Sequence, residues 1–127
     1  MVLVDTSVWI RFLAGRRPYL AELDRLLSLG EVAGHEFVYG ELLIGDRGGR
    51  KKTLAAFEQM RQAKTLQHHE VAAFVRQREL HGRGVSWIDI HLLASALVER
   101  FTFWTADLPL SALARELRVA YNIGASI

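Results

Sequence analysis

The chain has 127 residues, half of them hydrophobic, a formal net charge of +2 and no cysteine. A chain of this length buries one sizeable core and hardly two, so a single domain over 1–127 is expected, and the lack of cysteine excludes a disulfide framework and any thiolate metal site. The longest stretches without Asp, Glu, Lys or Arg are nine residues, 90–98 and 119–127, far short of the roughly 20 that cross a bilayer. The opening Met1-Val2-Leu3-Val4-Asp5 lacks the basic segment, apolar core and cleavage site of a secretory signal, so a cytoplasmic location is expected.

In chain order, Val2-Leu3-Val4 reads as a short buried strand. A short helix over 6–13 follows. Pro18 stands where a second helix begins, with Leu20, Leu23, Leu26 and Leu27 on one face and Gly30 closing it. Residues 31–34 form a weak candidate strand, and 35–44 a helix stopped at Gly45. Helices are expected over about 50–61 and 70–81, with a possible short strand at 64–66 between them; Gly82 and Gly84 end the second. Ser86 opens a strong helix to Glu99, 101–105 is a strand, 110–117 a helix, and 119–121 a last short strand. Strands alternating with helices predict an α/β fold with a short, mostly parallel central sheet flanked by helices.

Four acids fall at informative places in this pattern. Asp5 closes the first strand and Asp107 follows the strand at 101–105; in open α/β sheets ligands bind beyond the carboxyl ends of the strands. Glu41 shares a helical face with Phe37, Val38 and Ile44, and Asp89 with Leu92, Leu93 and Ala96, while His91, Ser95 and Glu99 form the polar stripe of that helix. Both helical acids are thus expected to point inward, where a carboxylate pairs with a cation, binds a metal or takes up a proton. No basic residue lies one turn away on either helix. Each acid also has an ordinary reading: Asp5 as a helix cap, Ser86-x-x-Asp89 as a capping box, Glu41 on a solvent face, Asp107 as a turn residue before Leu108-Pro109. A joint site explains all four together.

Other polar residues carry less. The five histidines show no spacing for a zinc site or for a general base beside the acids. Six basic residues between Arg47 and Lys64 face one acid, Glu58; with Arg11, Arg16 and Arg17 they are candidates for phosphate contacts, against the simpler reading of a solvated helix face. Trp9, Trp87 and Tyr39 could stack on unpaired bases or serve as core or interface; for Trp87 the core or interface reading is preferred. A haloacid-dehalogenase-like phosphatase would want Asp at position 7, where Ser stands, and a phospho-acceptor receiver would want a lysine near its last strand, where none follows Lys64.

Val4-Asp5-Thr6-Ser7-Val8-Trp9-Ile10, Val38-Tyr39-Gly40-Glu41-Leu42, the run from Gly84 to Ala96 containing Ser86-Trp87-Ile88-Asp89, and Trp104-Thr105-Ala106-Asp107 together resemble the PIN-domain ribonucleases, and more narrowly the VapC-like toxins of toxin–antitoxin modules. The resemblance spans nearly the whole chain, in order. It implies a PIN-like α/β/α domain that hydrolyses RNA at an Mg²⁺ or Mn²⁺ site formed by Asp5, Glu41, Asp89 and Asp107, with Thr6 or Ser7 as a supporting hydroxyl. It further implies an RNA substrate such as transfer RNA, a small antitoxin partner and a homodimer. The sequence departs at Leu108-Pro109, where family members often carry polar or charged residues. The alternative is a catalytically inactive PIN-fold module that binds RNA or protein.

Overall fold

The computed structural model describes residues 1–124. Its elements are β1 (Val2–Val4), α1 (Thr6–Leu13), α2 (Tyr19–Ser28), β2 (Val32–Ala33), α3 (Glu36–Ile44), α4 (Lys51–Glu58), α5 (His68–Arg78), α6 (Trp87–Glu99), β3 (Thr102–Trp104) and α7 (Leu108–Glu116). The three strands form a parallel sheet in the order β2-β1-β3. Val2 lies opposite Val32 on one side and Thr102 on the other, and Val4 opposite Trp104. All three residues of β1 are buried, as a strand covered on both faces requires.

Two expected strands are reduced to single bridges. Residues 64–66 form no strand; the pairing partner of this edge is Gln62, bridged in parallel to Gly34. Likewise 119–121 contributes one parallel bridge, Ala120 to Phe103. Of residues 64–66 only Leu66 is apolar and buried, too little to extend the ladder. Gly34 explains the tight edge: a Cβ there would stand 2.8 Å from the Phe57 ring and from Gln62 Nε2.

Helix α6 departs most from the amphipathic expectation. Its residues from Ile90 to Ala96 are all buried, so His91 and Ser95, read as a polar stripe, lie inside. Ser95 is satisfied there. Its Oγ donates to the Lys64 carbonyl at 2.7 Å and sits 3.2 Å from His35 Nε2. His35, wholly buried, caps α3 by accepting the Phe37 N–H on Nδ1 at 3.0 Å. With Nδ1 accepting and the Ser95 proton already given to Lys64, His35 is neutral and carries its hydrogen on Nε2. Burial holds its pKa down at about 4. His91 packs edge-on against Phe37 and Trp87, with ring centroids 5.1 Å away in both cases.

Candidate active site

Asp5, Glu41, Asp89 and Asp107 line one pocket of about 280 Å³, with Thr6, Ser7, Ile10 and Leu92 completing its walls. They come from the end of β1, from α3, from the first turn of α6 and from the loop after β3. Chain folding therefore joins what sequence separates by up to about a hundred positions.

Asp5 forms the floor and is 4% exposed. Ser7 Oγ donates to its Oδ1 at 2.6 Å, Thr105 Oγ1 donates to its Oδ2 at 2.7 Å, and the Val8 N–H reaches Oδ1 at 3.4 Å. The hydroxyls are anchored in turn, since Ser7 Oγ accepts the Ala106 N–H at 2.9 Å and Thr105 Oγ1 accepts the Asp107 N–H at 3.1 Å. This ring of bonds ties the ends of β1 and β3 together around one carboxylate. Desolvation dominates its electrostatics: burial raises the Asp5 pKa to about 6 against the lowering effect of its three donors, and the nearby Asp89 charge raises it further.

The cap readings of Asp5 and Asp89 hold, and both acids line the pocket all the same. Asp5 is the N-cap of α1. Asp89 closes a capping box: its Oδ2 accepts the Ser86 N–H at 3.0 Å, while Ser86 Oγ accepts the Asp89 N–H at 3.1 Å. Asp107 is the N-cap of α7, its Oδ2 accepting from Leu110 N at 3.1 Å. Helix α7 thus begins at Leu108, two residues before the expected start, with Pro109 in its first turn, where a missing N–H costs nothing. The Leu108-Pro109 departure leaves Asp107 at the pocket. Three helix N-termini, each a centre of partial positive charge, meet at the cluster and offset some of its repulsion.

Glu41 corrects one expectation. It is exposed, not turned inward, on the rim beside the buried Val38 and Leu42. Thr6 Oγ1 donates to its Oε1 at 2.5 Å and draws it over the pocket. Thr6 and Ser7 therefore both support acids, Thr6 for Glu41 and Ser7 for Asp5. Thr105 was not singled out from sequence, although its place between a strand end and Asp107 is a position from which a hydroxyl can reach a neighbouring strand's terminal acid.

Among the described residues, none of these four carboxylates is in an ion pair; the ion pairs involve Glu22, Glu31, Glu99 and Glu116. Arg11 donates to the Ser7 carbonyl at 2.9 Å, which holds its guanidinium against the backbone of a residue that anchors Asp5. Also among the described residues, no three acidic or histidine side chains stand close enough together to hold one ion between them. The donor set is all hard oxygen, which suits a small divalent cation that keeps most of its water shell and takes only one or two carboxylates directly. No histidine lines the pocket.

A family model described as the PIN domain matches residues 2–116, and the chain belongs to that family. Ribonuclease VapC32 of Mycobacterium tuberculosis (strain ATCC 25618 / H37Rv) is similar to it at 40% identity over 121 residues, covering 94% of this chain and 95% of the relative. The protein of the same name from strain CDC 1551 / Oshkosh matches equally. Among solved structures, a chain of the crystal structure of FitAcB from Neisseria gonorrhoeae superposes with a TM-score of 0.63 at 25% identity, covering 96% of this chain and 97% of that one. Within the PIN domains the chain is thus of the VapC ribonuclease type. No helix among the described residues is long and apolar enough to cross a membrane.

Proposed function

We propose that the protein is a divalent-metal-dependent endoribonuclease, the toxin of a toxin–antitoxin pair, that hydrolyses phosphodiester bonds of a structured RNA such as transfer RNA in the pocket of Asp5, Glu41, Asp89 and Asp107. One observation carries this reading: four carboxylates from four separate elements line one small pocket, and among the described residues none is in an ion pair with a basic side chain. Such crowding costs stability unless a cation shares the charge.

Asp5, held by two hydroxyls, is a fixed floor ligand; Asp89 and Asp107 each keep one oxygen free of their capping bonds, and Glu41 closes the rim through Thr6. An Mg²⁺ or Mn²⁺ ion bound there would lower the pKa of a coordinated water and neutralise charge gathering on the phosphoryl oxygens. The exposed Glu41 is placed to orient water, and Arg11 to meet a phosphate beside the pocket. A homodimer and a small antitoxin covering the pocket complete the reading. The alternative, a PIN fold that binds RNA or protein without cutting, draws on one observation, that among the described residues no three of the acids stand close enough to chelate a single ion.

The test is cleavage of RNA by purified protein with and without Mg²⁺ or Mn²⁺, comparing wild type with Asp89→Asn and Glu41→Gln. Cleavage that needs the ion and falls by at least a hundredfold in both variants is expected. Variants that cut as well as wild type would overturn the assignment, and ion-dependent RNA binding without cleavage would favour the alternative.

A further inference from the structure

Trp87 opens α6 two residues before Asp89, about 3 Å along the helix axis. It is not a core residue: Trp87 is 39% exposed, whereas the other two tryptophans, Trp9 and Trp104, are 2% and 4% exposed. Two neighbours hold the indole. His91, one turn further along, meets it edge-on at 84°, and His68, exposed at the start of α5, lies 5.0 Å away with its ring tilted by 49°. Neither ring lies parallel to the indole, so neither stacks flat on it. His91 also packs against Phe37, which is one turn before Glu41 on α3. The aromatic group therefore links the two helices that carry Asp89 and Glu41, and its outer end is open.

We propose that Trp87, with His68 beside it, is a stacking platform for an unpaired nucleobase of the RNA whose backbone enters the acidic pocket; this rests on the ribonuclease reading above. The chemistry favours a base over a protein side chain. Both exposed members are flat π systems with ring nitrogens at their edges, and His69, next to His68 in the first turn of α5, is exposed as well. An aliphatic anchor would find a hydrogen-bonding rim and no closed apolar slot. A base finds a face to stack on and ring nitrogens to bond at its edges. Because His91, itself packed on Phe37, braces the indole from within, the ring is held in place before the RNA arrives.

Trp87 being the one exposed tryptophan gives a direct readout. A single-stranded oligoribonucleotide, titrated into the protein with Ca²⁺ replacing Mg²⁺, is expected to quench tryptophan emission, and Trp87→Phe is expected to remove most of the quench. Trp87→Leu should weaken binding of the same oligonucleotide about tenfold and Trp87→Phe by threefold or less, with cleavage in Mg²⁺ falling in parallel. Dimerisation of both variants should match wild type. RNA that binds wild type without changing its emission, or binds Trp87→Leu as tightly as wild type, overturns the platform and leaves the ribonuclease reading standing. Loss of self-association in Trp87→Leu with RNA affinity intact also overturns it, by showing that the occupant is protein. If wild type neither binds nor cuts RNA under any of these conditions, the ribonuclease reading itself fails and the platform with it.

Discussion

Replacing Asp5 by asparagine should make the protein more stable while ending its activity. The ordinary carboxyl pKa of 3.8 is raised to about 6 in the fold, chiefly by burial, a shift of about two units, which corresponds to about 3 kcal/mol of unfavourable charge burial. The sign follows from linkage. Above pH 6 the carboxylate is ionised in both states and only the folded state bears the desolvation, so the fold is weakened there; as pH falls from about 6 to 4 the folded state takes up the proton first and gains stability. Asparagine carries no charge and retains a good capping oxygen. Its amide N–H would face hydroxyls that now donate, but Ser7 Oγ and Thr105 Oγ1 are 3.3 Å apart and one can turn to donate to the other. Allowing about 1 kcal/mol for that rearrangement, Asp5→Asn should gain about 2 kcal/mol at pH 7.5, a rise in Tm of roughly 6–10 °C for a domain of this size. The assay is thermal unfolding of both proteins at pH 7.5 and pH 4, each with and without Mg²⁺. At pH 4 the difference should shrink to near zero, and Mg²⁺ should stabilise wild type more than the variant. An Asp5→Asn protein that is less stable than wild type at pH 7.5, or whose advantage persists unchanged at pH 4, would refute the reasoning.

Three further outcomes are expected. Thr105→Val removes the donor to Asp5 Oδ2 and leaves the Asp107 N–H without its acceptor; a cost of about 1–3 kcal/mol in denaturant unfolding and at least a tenfold loss of cleavage should follow, with Thr105→Ser restoring most of both. His35, neutral and capping α3, contributes stability that is complete above its unfolded pKa of 6.5 and is lost as pH falls toward its folded value of about 4, by up to about 3 kcal/mol. His35→Asn, which keeps a cap but cannot titrate, should show a smaller drop in Tm between pH 7 and pH 4.5 than wild type. Gly34→Ala places a methyl 2.8 Å from the Phe57 ring and should cost about 1–3 kcal/mol through overpacking; a Tm within 1 °C of wild type would contradict it.

The acids were legible in the sequence because two of them end strands and one occupies the third position of a capping box, and those local signals fix where the side chains begin. What sequence could not supply was the rotation of α3. Its apolar residues run nearly all round the helix, so periodicity gives no preferred face, and Glu41 proved exposed where an inward direction was expected. Helix α6 misled for the same reason in reverse: it is buried on every side over Ile90–Ala96, and His91 and Ser95, polar by composition, are core residues whose partners come from α3 and from the connection after α4. The strand expected at 64–66, Lys64-Thr65-Leu66, failed because a β-branched residue beside a single leucine carries no period-2 pattern, and Leu66 is buried without joining the ladder. Thr105 went unassigned because its meaning depends on a strand a hundred residues away. The exposure of Trp87 was likewise out of reach, since it depends on neighbours that sequence does not bring near it.

The parallel pairing of β1 with β3 brings one further property. Because the pocket floor hangs from the innermost strand and is laced by hydroxyls to the strand beside it, the site has no hinge of its own, and distorting it means breaking the centre of the molecule. For the ribonuclease proposed above, that rigidity places the natural point of control at the mouth of the pocket and not in its floor.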